Sequence, residues 1–394
     1  YTIQIKTAKL NDFFYELINI YTPQDLLPSD YPSNDVHMIA DELKNEWNIF
    51  SDELKTSDIY NIIKTLSPKI YSETPNYFIS PVGVPEKYDQ EYLKIHSILR
   101  GHSWEEFVES IKHDNRFHTQ LINTDKLETY LSYLRKDYEK GKSMYRGRLC
   151  YSDKEYKPKE MGAPPIEFAK EGRANSTGIR RLYLADSEKT CIHEIRSGAF
   201  DSICIGKFSL CKDISVIDFK RISKFSPFNG DFDFLEYLVN KPILNKIDKE
   251  MGRALRAGDN HLDYIPTQYL CDFIKTLTYK SDEKYSGVEY SSTLNPGGNN
   301  LAIFYPDLFK CTNVKKYTVN SLKYDFSLTI RELYHFNNNK EVKQFFPMLN
   351  LFFYFVDYKA FPYHNNPLYF CSQLTLCFIT YKTTYCHLNT SLLF

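Results

Sequence analysis

The stretch GIRRLYLADSEKTCIHEIR carries two side chains whose types and spacing could do chemistry. Its run RRLYLA predicts a buried strand that holds Tyr183. Asp186 or Ser187 can cap the helix that follows, and Glu194 lies on that helix. Taken singly, such a tyrosine usually packs in a core and such a glutamate is usually solvated. Taken together, we predict that Tyr183 and Glu194 face one pocket.

Three arginines and a serine add anion-binding groups to that pair. Arg173 lies in EGRANSTG, a loop that ends where the strand begins, and Arg146 and Arg148 lie in the β-type run MYRGR. An arginine within a strand is unfavourable unless it pairs with an anion, and the geometry of the guanidinium group is complementary to that of phosphate. A surface salt bridge is the alternative. Ser292 precedes a Pro-Gly-Gly turn, which either lets the backbone approach a ligand or simply closes a hairpin.

The elements that must position these side chains divide the chain into three ranges. Residues 1–142 predict a mostly helical domain, in which apolar side chains from Leu127 to Tyr138 recur on one helical face. Residues 143–336 alternate short β-type runs with helical patterns, which indicates an α+β fold. Residues 337–394 form an aromatic-rich C-terminal extension, and its status as a native element stays open.

The overall composition narrows the function classes. The net charge of −1, from 49 basic and 50 acidic residues, gives no global electrostatic case for binding nucleic acid or an anionic membrane. The longest apolar run, residues 345–356, is shorter than the roughly 20 residues that cross a bilayer. The nine cysteines include no C-x-x-C pair, so we expect neither a metal site nor a disulfide framework, and we predict a cytoplasmic location.

Four blocks of the sequence, in order, resemble the RES domain, a family named for its Arg, Glu and Ser. They are YRGR, MGAPPIEFAKEGRANSTGIRRLYLADSEKTCIHEIR, YIPTQYLCDFIK and GVEYSSTLNPGGNNLAIF, within roughly residues 144–322. The resemblance implies a fold similar to that of the ADP-ribosyltransferase toxins, here preceded by a helical extension. It also implies a bacterial toxin or defence enzyme that destroys NAD and is usually paired with a helix-turn-helix antitoxin.

The resemblance also implies roles for particular residues. Arg173, Tyr183 and Glu194 match the central catalytic positions, and Arg146 and Ser292 match the remaining polar positions, which we assign to substrate binding. Loss of nicotinamide from NAD passes through a cationic, oxocarbenium-like ribose, which the Glu194 carboxylate can stabilise while the Tyr183 ring stacks on nicotinamide. The two arginines can clamp the pyrophosphate, and the serine can bond to the ribose or a phosphate. NAD is then the substrate, and no cofactor is expected.

Several alternatives stay open at this point. The enzyme is an NAD glycohydrolase if water is the acceptor and an NAD phosphorylase if phosphate is. An ADP-ribosyltransferase acting on a macromolecule and a non-catalytic interaction module are the other two readings. We expect residues 1–142 to fold separately and to add no catalytic group. A homo-oligomer is neither favoured nor excluded.

Overall fold

The N-terminal range is mostly helical, as the sequence predicts. The computed structural model describes residues 8–151, 155–226, 232–253, 260–280 and 282–323, so the predicted extension 337–394 lies outside the described residues. Within these ranges, the helices that precede the central sheet are α1 (Ala8–Asn19), α2 (Ile39–Asn45), α3 (Thr56–Leu66), α4 (Pro68–Glu73), α5 (Asn76–Ile79), α6 (Gln90–His96), α7 (Trp104–His113) and α8 (Thr124–Ser132). Two short strands in this range, β1 (Thr22–Pro23) and β2 (Val82–Gly83), pair with each other in antiparallel orientation. None of the described helices is both long and apolar enough to cross a bilayer.

A mixed sheet of eight strands follows, in the order β12-β6-β4-β5-β11-β10-β7-β3. Strands β10 and β7 run parallel, and the other neighbours are antiparallel. The sheet strands and a separate hairpin, β8–β9, are β3 (Arg135–Tyr138), β4 (Ser143–Cys150), β5 (Leu182–Ala185), β6 (Ser202–Leu210), β7 (Ile214–Asp218), β8 (Thr278–Lys280), β9 (Glu283–Lys284), β10 (Gly287–Ser291), β11 (Asn299–Ile303) and β12 (Phe309–Thr318). Together with the helices they make an α+β fold.

The sheet splits between β4 and β5. Strand β4 pairs with β6 along its whole length, from Ser143 to Cys150. In the described sheet its pairing with β5 is a single residue pair, Tyr145 opposite Ala185. Beyond that pair the two strands diverge and leave room for a cavity.

Three helices pack near this split. Helix α9 (Glu188–Glu194) begins directly after β5 and contacts β4, while α10 (Phe234–Gly252) and α11 (Ile265–Thr276) contact β10. The register of the strands determines which side chains share a face near the split. Asn300 lies opposite both Ala185 and Tyr290. Paired residues and alternate residues of a strand share one face. Tyr183, Tyr290 and Asn300 therefore lie on the same face of the sheet.

The helical range and the sheet share one hydrophobic core. The prediction that the helix over Leu127 continues to Tyr138 is wrong at its end: α8 stops at Ser132, and Tyr138 pairs with Ile214 in β7. The core cluster contains Leu127 as well as Leu270 of α11, and residues up to Leu322 form one compact unit. The predicted boundary at residue 142 therefore does not separate two cores.

Candidate active site

A cavity of about 260 Å³ opens where the sheet splits. Side chains from β4, β5, α9, β10 and β11 line it, so five elements that are distant in sequence meet there. Among the predicted site residues, Arg146, Tyr183 and Glu194 are part of its wall. The structure thus brings together the strand tyrosine, the helix glutamate and one arginine.

A larger cavity, of about 910 Å³, lies beside β3 and the β8–β9 hairpin. Two pairs of its lining side chains bond to each other: Arg135 Nε donates to Asp137 Oδ1 at 2.9 Å, and Tyr279 Oη donates to Glu283 Oε2 at 2.5 Å. Such paired surface charges need no ligand. We therefore assign the chemistry to the smaller cavity, whose wall contains the predicted residues Arg146, Tyr183 and Glu194.

Glu194 is the last residue of α9, and two donors fix its carboxylate. Ser187 caps the start of this helix by accepting a hydrogen bond from the Thr190 amide at 3.1 Å. At the other end, Ser292 Oγ donates to Glu194 Oε1 at 2.6 Å and Asn300 Nδ2 donates to the same oxygen at 2.7 Å. A helix C-terminus disfavours negative charge, so these two bonds stabilise the carboxylate there.

A glycine lets the glutamate helix approach the strand. A Cβ atom at Gly147 of β4 would lie 3.1 Å from Ile195 Cγ2 and 3.6 Å from Cys191 Sγ. Both of these atoms lie in the segment that carries Glu194, so a larger residue at this position would push the carboxylate away from β4. Burial raises the pKa of the Cys191 thiol to about 12, which keeps this cavity-lining group neutral at pH 7.

Tyr183 connects the cavity to the loop that carries Arg173. Its hydroxyl accepts a hydrogen bond from the Ala174 amide at 2.9 Å and donates to Asn175 Oδ1 at 2.6 Å. Burial raises its pKa well above the ordinary value, so the hydroxyl stays protonated. Gln268 of α11 holds the same loop by donating to the Asn175 carbonyl at 2.9 Å. The tyrosine hydroxyl is thus occupied by the loop, and the ring remains to line the cavity.

Arg146 is the group in the cavity wall with unused donors. Its Nε and Nη1 atoms are buried and have no hydrogen-bond partner in the described part of the chain. Burial, together with repulsion from the Arg148 guanidinium, lowers the pKa of Arg146 to about 10, so the side chain is still a cation at neutral pH. A buried cation with open donors is costly unless an anion binds to it.

Arg173 lies beside the cavity and is not part of the wall described above. Its Nη1 donates to the Glu250 carbonyl at 2.6 Å, and its Nη2 donates to the Arg253 carbonyl, both at the C-terminal end of α10. The guanidinium carbon lies 5.5 Å from the centre of the Tyr290 ring, which does line the cavity. Cations are favoured at helix C-termini and over aromatic rings. Its role as a pyrophosphate clamp stays a prediction.

Ser292 reaches the site through Glu194. It is buried, with 5% of its surface exposed, and its Oγ also accepts a hydrogen bond from the Asn295 amide at 3.1 Å. The structure therefore joins Ser292 to Glu194, whereas direct contact of the serine with substrate stays a prediction.

Asn300 and Tyr290 are among the residues of the cavity wall that sequence reasoning did not single out. Both lie in the block GVEYSSTLNPGGNNLAIF, which was assigned to the site through its serine. The alternation of that run places Tyr290 on the same side as Ser292, so the tyrosine had a visible signal. Asn300 had none, because its contact with Glu194 depends on the register of β11 against β5.

Comparison with known families and proteins gives one match. Residues 150–327 match the family model of the RES domain. This range includes Arg173, Tyr183, Glu194 and Ser292, and Arg146 lies four residues before it. No curated protein and no solved structure matches the chain significantly.

Proposed function

We propose, from the RES domain that this chain contains and from the geometry of the cavity, that the protein consumes NAD by cleaving the nicotinamide–ribose bond. The observation that carries this proposal is the juxtaposition of a fixed carboxylate and an unpaired arginine in one cavity. Glu194 would act on the reacting sugar, and Arg146 would hold the phosphates.

The chemistry at Glu194 follows from the charge of the transition state. As the glycosidic bond breaks, positive charge develops on the ribose ring, and nearby fixed negative charge stabilises it. Ser292 and Asn300 both bond to Oε1, and in the described chain no hydrogen bond reaches Oε2. This second oxygen is the one we assign to the ribose. The leaving nicotinamide begins as a cation and departs neutral, so no general acid is required.

The binding of the phosphates follows from Arg146. Its Nε and Nη1 nitrogens, which have no partner among the described residues, can donate charge-assisted hydrogen bonds to a phosphate oxygen. The cost of burying this cation is then offset when substrate binds, which favours the anionic ligand over an apolar one.

The size of the cavity supports the proposal that one end of NAD enters it. At about 260 Å³ it lies just below the roughly 300–1,000 Å³ of common small-molecule sites. We infer that nicotinamide and its ribose enter between the rings of Tyr183 and Tyr290, and that the rest of the dinucleotide extends along the split toward Arg146. The aromatic walls can stack on the nicotinamide ring and orient the bond.

The proposal leaves three candidates for the acceptor of the ADP-ribose group and names one kind of protein partner. Water would make the enzyme a glycohydrolase, and phosphate would make it a phosphorylase. Transfer to a macromolecule remains the other enzymatic outcome. A helix-turn-helix antitoxin is the protein partner that the resemblance implies, in a toxin–antitoxin pair.

The test is a product analysis with the purified full chain. NAD is added with and without inorganic phosphate, and nicotinamide release and the ADP-ribose product are followed by chromatography and mass spectrometry. Free ADP-ribose identifies water as acceptor, and phosphorylated ADP-ribose identifies phosphate. Failure to release nicotinamide under either condition, and in the presence of cell extract as a source of protein acceptors, would overturn the proposal in favour of an interaction module.

A further inference from the structure

We propose that Cys150 and Cys204 are a redox-sensitive thiol pair that a small-molecule disulfide converts into an intramolecular disulfide. The two residues lie on neighbouring antiparallel strands, Cys150 at the end of β4 and Cys204 within β6. Their Sγ atoms are 2.9 Å apart. This inference does not depend on the proposed function.

The geometry of the strands explains the approach. Cys204 lies opposite Arg148, and Cys150 lies opposite Ser202, so the two cysteines are diagonal neighbours. Both pack in the same hydrophobic cluster on one face of the sheet. Diagonal Cα atoms in antiparallel sheets are about 7–8 Å apart, close to the upper limit for a disulfide. The proposal therefore depends on the observed approach of the sulfurs, which are within about 1 Å of the S–S bond length of roughly 2.05 Å.

Two other cysteines provide the contrast. Cys211 and Cys311, which are half-buried, direct their sulfurs at backbone carbonyls, of Ser209 at 3.9 Å and of Asn313 at 3.4 Å. Cys150 is also half-buried, whereas Cys204 is fully buried. An oxidant thus reaches Cys150 first, and Cys204 is the resolving partner.

The reaction has two balanced steps. The Cys150 thiolate attacks one sulfur of the small disulfide and expels one thiolate, which leaves a mixed disulfide on Cys150. The Cys204 sulfur then attacks the Cys150 sulfur and expels the second small thiolate, which takes up the proton that Cys204 loses. Two protein thiols are oxidised and one small disulfide is reduced to two thiols. Burial, with the hydrogen bond to Cys204, raises the pKa of Cys150 to about 11, so the first step speeds up as the pH rises.

The bond would join two strands that already pair, so it should stabilise the native structure without moving it. It closes a loop between residues 150 and 204 in the unfolded chain, and such cross-links typically raise Tm by several degrees in a domain of this size. It also fixes the end of the strand that carries Arg146, whose other neighbour, β5, holds it through one residue pair.

The experiment uses the full chain, incubated with oxidised glutathione at pH 8.5 and then digested without reduction. We expect a peptide linked through Cys150 and Cys204, the loss of two titratable thiols, and a Tm several degrees higher that reverts with dithiothreitol. Cys211→Ser serves as the matched control and should form the same link. Cys204→Ser should stop at the glutathione adduct of Cys150.

Two outcomes would overturn the proposal. One is a wild-type protein that keeps the glutathione adduct on Cys150, or stays unmodified, after prolonged oxidation. The other is a link between different cysteines. Cys150→Ser, at the end of its strand, supplies a second variant in case Cys204→Ser does not fold, and it should form neither the adduct nor the link.

Discussion

Glu289 of β10 and Glu194 of α9 are two carboxylates of the same sheet region with opposite surroundings. Glu289 is 2% exposed and accepts hydrogen bonds from Lys136, Lys220 and Tyr138, at 2.8, 2.5 and 2.5 Å. Within the described part of the chain, Glu194 accepts hydrogen bonds on one oxygen only, and two nitrogens of Arg146, the cation in its cavity wall, have no partner.

The difference separates a structural charge cluster from a binding site. Around Glu289 each charge meets an opposite charge: Lys136 comes from the neighbouring strand β3, and Lys220 comes from the segment just after β7. Around Glu194 strands β4 and β5 are joined by one residue pair, and two buried nitrogens of Arg146 have no hydrogen-bond partner among the described residues. Buried polar groups are almost always satisfied in native proteins, so the unpaired nitrogens of Arg146 are groups that a ligand or a water molecule can satisfy.

The largest effect is expected at the satisfied cluster. Glu289→Gln leaves Lys136 and Lys220 with the more distant Asp218, at 3.5 and 3.8 Å, as their remaining carboxylate partner in the cluster, which should lower the free energy of unfolding by about 3–5 kcal/mol. Burial raises the pKa of Glu289, but the hydrogen bonds from Lys136, Lys220 and Tyr138 outweigh it, and the net pKa is lowered. Its stabilising contribution is thus present above the unfolded pKa of roughly 4.3 and is lost as the pH falls through the folded value.

Denaturant unfolding at pH 7 and at lower pH measures the difference in free energy of unfolding between wild type and Glu289→Gln. This difference should be largest at neutral pH and should vanish in acid. Glu139→Gln, at an exposed glutamate next to the cluster, should leave stability unchanged at both. Equal stability of wild type and Glu289→Gln at pH 7 would contradict a structural role for the cluster.

At the cavity, Glu194→Gln should reduce nicotinamide release by about 10²–10³-fold, the usual loss for one preorganised electrostatic group. The fold should survive, since the amide keeps the shape of the carboxylate. Glu188→Gln is the control on the same helix, because Glu188 bonds to Lys315 and Tyr317 instead of the cavity groups. Near-native turnover by the Glu194 variant would remove this residue from the mechanism.

Arg146→Met should raise the KM for NAD about tenfold or more, because charge-assisted hydrogen bonds are worth roughly 1.5–3 kcal/mol. Its Tm should stay constant or rise, since the variant removes an unpaired buried cation. Arg181→Met is the matched control at a buried arginine that has a partner. Arg181 is 3% exposed and paired with Asp272, so its loss should lower Tm. A fall in Tm with unchanged KM for Arg146→Met would mean that Arg146 is structural.

The smallest effect is expected at Asn300. Asn300→Leu removes one of the two bonds to Glu194 Oε1 and should lower kcat about fivefold, equivalent to roughly 1 kcal/mol, with little change in KM. Asn299→Leu is the matched control, because Asn299 donates to Asp186 and not to Glu194. A larger effect on KM than on kcat would indicate that Asn300 contacts substrate directly.

Local patterns in the sequence predicted local structure well. The run RRLYLA followed by Ser187 predicted β5 and α9. The end of α8 could not be predicted in this way, because Tyr138 continues the helical pattern but pairs with β7, a partner far along the chain.

The site shows the same limit. Tyr183 and Glu194 could be paired from a strand–turn–helix pattern, since they are close in sequence. The bonds of Arg173 to the end of α10 and of Asn300 to Glu194 join segments that are far apart in sequence. Their register is fixed by tertiary packing, which no local pattern encodes.

The single residue pair between β4 and β5 has a kinetic consequence. Backbone amides of β4 that point toward β6 belong to a continuous ladder, whereas those pointing toward β5 beyond Tyr145 border the cavity. In deuterated water the second group should exchange its hydrogens faster, because opening costs less where no ladder closes over them. Saturating NAD should slow that exchange along one side of β4 only, which would map the ligand onto a strand edge without a bound structure.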